Sequence, residues 1–196
     1  MIVTLRLRPG SVVTESELVR LTGIGRTPVR QAIQRLELQG LVATLPRRGI
    51  HIKDMNITEF FAILDVRRAL DRVIALRAAK RATKEQRAAL RACAAGVKKA
   101  AAQQSLSDFM HVDHDFDQIL ESAAHNPYAV QAAAPLHIHC RRLWFTYQHA
   151  GDLARAAAAH SKLMLAVAAG DASATAKASD ELVDYLVGFV KGTIQL

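Results

Sequence analysis

Apolar residues along this chain recur in short, interrupted patterns up to about residue 53 and in long helical stripes after it. Thr14 with Glu17 forms a capping pair, and Leu18 with Leu21 starts an apolar stripe that Gly23 ends, which predicts a short helix over residues 15–22. Thr27 as cap and Pro28 at the first helical position open a second helix. In it Val29, Ile33 and Leu36 share one face until Gly40 stops the pattern. Residues 41–44 and 50–52 read as two short strands around Pro46-Arg47-Arg48-Gly49. From residue 54 the sequence is rich in Ala and Leu, with helical spacing and hardly any strand signal. Asn56 with Glu59 and Thr83 with Gln86 read as helix caps, and Asn126-Pro127 and Gly151 as breaks.

These elements predict a mainly α chain of two domains. Residues 1–53 follow a helix, turn, helix, basic hairpin order, that of a winged helix-turn-helix with a small β-hairpin wing. Residues 54–196 predict an all-α antiparallel bundle of six or seven helices.

Charge sharpens this picture. The 196 residues carry a net charge of +8, and residues 1–53, with nine Lys or Arg against three Asp or Glu, hold +6 of it. A concentrated basic excess points to a polyanion, although a basic surface can also serve solubility alone. No run reaches the ~18 apolar residues of a membrane span, and the first ten residues lack a signal peptide's apolar stretch, so a cytoplasmic protein with no membrane partner is expected. Cys93 and Cys140 stand far apart, without the paired spacing of a disulfide framework or zinc knuckle.

The polar face of the second helix names the partner. Arg30, Gln31, Gln34 and Arg35 line it, Arg26 and Thr27 stand at its N-terminus, and no acidic residue interrupts it before Glu37. A recognition helix offers N-terminal side chains to major-groove base edges, and Arg is the commonest reader of guanine. Arg26, Thr27, Arg30 and Gln34 are therefore the candidate DNA contacts. Arg47 and Arg48 at the hairpin tip suit an adjacent minor groove or the backbone, with Gly49 permitting close approach.

These same residues resemble the DNA-binding domain of GntR-family bacterial transcription regulators, through Pro9-Gly10, Glu17-Leu18, Arg26-Thr27-Pro28-Val29-Arg30, Leu36-Glu37, Gly40-Leu41-Val42 and Arg48-Gly49. Further on, VRRALD at 66–71, DHDFD at 113–117, Asn126-Pro127, and His160 followed by Gly170-Asp171 resemble the FadR-type helical effector-binding domain. The resemblance implies a transcription regulator, usually a repressor, that binds double-stranded operator DNA as a homodimer and responds to a small anionic metabolite, with Arg67 and Asn126 as effector-binding candidates. A salt bridge from Arg67 to Asp71 is the competing reading.

Two departures stand out. Only eight residues precede Pro9, where the family has a complete helix, and residue 16, an Arg contacting DNA in some relatives, is Ser. In many FadR-type domains an Asp and three His hold one divalent ion of the Zn, Ni or Mn type. Here the matching positions are Asp113, Asp117, His160 and Leu182, leaving three candidate metal ligands of altered chemistry. Taken singly, the acidic residues also fit a solvated helix face and His160 a hydrogen-bonded core histidine. His137 or His139 is a possible replacement ligand, while His111 and His114 read as surface residues. Two alternatives remain beside the regulator: a dimerising protein that no longer reads DNA, motivated by the short N-terminus, and a helical metal-dependent hydrolase using Asp113, Asp117 and His160. The second lacks a nucleophile elbow, an H-E-x-x-H or a phosphate-cradling loop.

Overall fold

The computed structural model describes residues 1–148 and 152–194, so the expected break at Gly151 lies outside the described residues. The order is β1 (Val12–Val13), α1 (Glu15–Thr22), α2 (Arg26–Leu38), β2 (Val42–Leu45), β3 (Gly49–Ile52), α3 (Glu59–Arg81), α4 (Lys84–Ala102), α5 (Leu106–Ala124), α6 (Pro127–Tyr147), α7 (Asp152–Ala169) and α8 (Ala172–Ile194). Two compact units result, one formed by residues 1–56 with 138–146 and the other by residues 57–137 with 147–196.

In the first unit, α1 starts where Thr14 accepts a hydrogen bond from the Glu17 amide and donates its own amide to Glu17 Oε2 at 2.7 Å. Residues 2–5 form turns and residues 6–7 a bend, with no helix ahead of β1. The sheet has three antiparallel strands in the order β1-β3-β2, one more than the alternation suggested. Val12–Val13 is too short for a period-two pattern and exists by pairing with His51 and Ile50. Leu18, Val29, Ile33, Leu41, Val42, Ile50 and Ile52 form the buried core, joined by Ile2 and Leu7. The segment 138–146 of α6 belongs to this unit: His139 Nε2 lies 2.9 Å from the Gln39 carbonyl, and the buried Arg142 donates to Lys53 O at 2.5 Å. Burial pushes the Arg142 guanidinium below its ordinary value, against the pull of Asp54.

In the second unit, α3, α5, α4, α7 and α8 pack in a closed ring, each against the next and α8 back on α3. Thr83 and Gln86 cap α4 reciprocally, as expected. The start of α3 differs from expectation: its N-cap is Thr58, not Asn56. Arg87 ties two helix ends together, donating to Ala79 O and Ala82 O at the C-terminus of α3 and to Val167 O and Ala168 O in the last turn of α7. Gly170 takes φ +76°, and a Cβ there would lie 2.7 Å from Arg87 Nη1, so this turn excludes a side chain for two reasons. Asp171 then caps α8 through the Ala174 amide. No described helix is long and apolar enough to cross a membrane.

Candidate nucleic-acid interface and buried polar cluster

The N-terminus of α2 is open. Its N-cap is Gly25, which offers no side-chain hydrogen bond, and the first turn contains no acidic residue. Thr27 is therefore not the cap that the Thr27-Pro28 pair suggested. The helix starts two residues earlier, at Arg26, so Thr27 and Pro28 lie inside its first turn. Uncapped first-turn amides and the positive end of the helix dipole suit a phosphate. Arg26, Thr27, Arg30 and Gln34 are all exposed, while Val29 and Ile33 hold the opposite face in the core.

Arg30 does not stand alone. Its Nε donates to Glu15 Oε2 at 2.7 Å, with the Arg30 side chain 67% exposed, and this pairing raises the guanidinium pKa. Glu15 at the start of α1 thus fixes the direction of Arg30 while engaging its Nε edge. The i to i+15 separation of this pair has no sequence signature, so only the fold reveals it.

At the hairpin tip, Arg48 N donates to Leu45 O at 3.1 Å and Arg47 sits at φ +61° after Pro46, the pattern of a type II turn. That position favours glycine, yet it carries an arginine. Gly49 has a structural reason that the sequence reading did not anticipate: its φ is +117°, and a Cβ would lie 2.6 Å from Val13 O on β1. Its missing side chain lets the third strand close on the wing.

In the helical unit, Asp113 and His160 meet, with His160 Nε2 3.1 Å from Asp113 Oδ1, while His160 Nδ1 lies 2.8 Å from Ala156 O one turn back. Phe109 packs edge-on against the His160 ring, centroids 5.4 Å apart. Asp117 turns elsewhere. Its Oδ2 lies 3.1 Å from His137 Nδ1, and His137 Nε2 lies 2.7 Å from Asp71 Oδ1. Arg67 completes the cluster by donating Nε and Nη2 to Asp71 Oδ2 at 2.9 and 2.8 Å, the i,i+4 pair that competed with its effector role. All four side chains are at most 15% exposed.

Burial pushes the Asp71 carboxyl up, but Arg67 and His137 outweigh it and hold the group at about 2. For His137, burial opposes the cation and Arg67 repels it, yet Asp117 and Asp71 raise its pKa to about 9. Arg67 and His137 face Asp71 and Asp117 here, and Glu121 lines the same small cavity. Sequence spacing could not reveal it, because Asp71, Asp117 and His137 come from three helices.

The solvated-face reading therefore fails for Asp113 and Asp117 and holds for the exposed His114 and Asp115. Asn126 Oδ1 accepts from the Ala129 amide at the start of α6, and Asn126 does not line the small cavity beside Arg67. His111 and His114 are exposed, bonded locally to Ser107 O and Gln118.

The implied metal does not fit these side chains. Among the described residues no three His, Cys, Asp or Glu are placed to share an ion. Both His137 nitrogens face carboxylates, Asp117 faces His137, and Leu182 presents an apolar wall.

The family model described as FCD domain matches residues 62–185, and that of bacterial regulatory proteins, gntR family, matches residues 1–52. The HTH-type transcriptional repressor RspR of Escherichia coli (strain K12) is 28% identical over 123 residues, 63% of this chain and 54% of that protein. The Nta operon transcriptional regulator of Aminobacter aminovorans is 31% identical over 91 residues, 46% of this chain and 43% of that one. The chain spans about half the length of the curated relatives it matches. E. coli McbR/YncC superposes with a TM-score of 0.84 at 16% identity, covering 97% of this chain and 92% of that one, a likeness of fold.

Proposed function

This chain belongs to the FCD-domain family of GntR-type regulators, and from that premise we propose that it is a cytoplasmic, metabolite-responsive transcription regulator binding double-stranded operator DNA as a homodimer. The observation that carries the reading is the open N-terminus of α2, where Arg26, Thr27, Arg30 and Gln34 are exposed with no acidic residue in the first turn. Arg30 reads a base edge with the guanidinium nitrogens that Glu15 leaves to it, and first-turn amides with Thr27 hold a phosphate. Arg47, Arg48 and Gly49 bring the wing tip to the neighbouring groove or backbone. That the similar RspR is a transcriptional repressor supports repression as the direction of control.

The effector in this reading is a small anionic metabolite received at Arg67, where the cavity of about 30 Å³ opens as Asp71 is displaced. Its carboxylate competes with Asp71 for the paired Nε and Nη2 donors, a bidentate geometry suited to planar anions. To act, it must bind one dimer arrangement more tightly than the other, since equal affinity shifts nothing.

Titration of wild-type protein and Arg30→Ala against the protein's own upstream DNA and a scrambled duplex tests the first part. Arg30→Ala is expected to cost ~1–3 kcal/mol on the upstream DNA and little on the scrambled one. Equal wild-type affinity for both duplexes overturns base reading and favours a protein that dimerises without reading DNA.

A further inference from the structure

Protein sites for divalent transition-metal ions need three or four donors converging on one point with lone pairs free to receive the ion. The donors of this helical unit are arranged otherwise. We propose that the unit works without a metal ion: Asp113 and His160 form one internally bonded pair, Asp117 belongs to a separate cluster with His137, Asp71 and Arg67, and no divalent cation binds between them.

Geometry carries this in three steps. First, Asp113 and His160 offer at most two donors to a common point, 3.1 Å apart, since His160 Nδ1 is held by Ala156 O. Second, the group that could replace the missing ligand is turned inward: His137 lies between Asp71 Oδ1 at 2.7 Å and Asp117 Oδ2 at 3.1 Å, one on each ring nitrogen, which leaves no lone pair for an ion. Third, the space beside this cluster is small and its polar lining is already engaged. It is a cavity of about 30 Å³ lined by Arg67, Asp71, Asp117, Glu121 and His137 and by the apolar Leu163 and Leu182. An ion there would have to displace Arg67 from Asp71 and His137 from both Asp71 and Asp117.

The test uses the full chain and no DNA, so its outcome is separate from the DNA reading. Protein is incubated with ZnCl2, NiCl2 or MnCl2 and desalted, and metal per protomer is measured by mass spectrometry of the acid digest. Thermal unfolding is followed with each ion and with EDTA. The expected results are far less than one equivalent of metal and an unfolding midpoint that neither ion nor EDTA moves, because a ligand that binds the native state must raise it. About one equivalent retained by wild type and lost in H160Q overturns the proposal, as does the same loss in D113N should H160Q fail to fold. Metal retained equally by wild type, H160Q, D113N and H137Q is held elsewhere and supports it, whereas metal lost in H137Q overturns it.

Discussion

His137 bridges two carboxylates on different helices, Asp71 of α3 at 2.7 Å and Asp117 of α5 at 3.1 Å. Both contacts require an N–H, so the bridge is complete only when the ring is protonated. The folded-state pKa of about 9 lies above the ordinary 6.5, and stability from this histidine is therefore fully present below pH 6.5 and lost as pH rises through 9. Asp71, held at about 2 against an ordinary 3.8, contributes stability present above pH 3.8 and lost as pH falls through 2. Thermal unfolding across pH 6 to 10 is expected to show a midpoint that falls between about pH 6.5 and 9 and levels off above that, with H137Q flattening the fall. An unchanged slope in H137Q would refute the bridge.

Arg67 supplies two donors to a buried carboxylate. R67M leaves Asp71 short of its main counter-charge and is expected to cost ~3–5 kcal/mol in denaturant unfolding, the usual consequence of breaking a buried pair from one side. R67M/D71L is expected to recover part of that loss. A double variant no more stable than R67M would show that the pair is not coupled in this way.

The wing separates stability from binding at one residue. Arg47 holds φ +61°, a conformation that costs a residue with a side chain roughly 1–2 kcal/mol. R47G is expected to leave the unfolding midpoint of the N-terminal unit equal or higher while weakening DNA binding. A fall in stability with unchanged DNA affinity would assign Arg47 to folding instead.

Gly49 shows the opposite logic. With φ +117° and Val13 O 2.6 Å from where a Cβ would stand, G49A is expected to cost ~2–4 kcal/mol and to lose the β1–β3 pairing, visible as faster amide exchange at Val12 and Val13.

Local signals make much of the fold legible in the sequence. The capping boxes at Thr14 and Thr83, the apolar stripe of Val29 and Ile33, and the hairpin around Pro46 each act within a few residues, where spacing alone determines geometry. Strand β1 is not legible, because two residues carry no period and the partner of Val12 lies 39 positions away at His51. Cap positions were read less well. Thr27 and Asn56 have the chemistry of caps, but Gly25 and Thr58 hold those places, since where a helix begins depends on how the preceding chain packs. For the buried cluster, sequence named Arg67, Asp71 and Asp117 separately, and only the crossing of three helices brings them to His137.

The central proposal is recognition of DNA through α2 and the wing, and the salt dependence of binding tests it most directly. The wild-type protein is titrated against its own upstream DNA and a scrambled duplex at 50 and 200 mM salt. Affinity for the upstream DNA is expected to fall steeply with salt, by a slope of roughly 0.9 per phosphate neutralised, and to exceed that for the scrambled duplex at both concentrations. Binding that is insensitive to salt, or equal for the two duplexes, would contradict it.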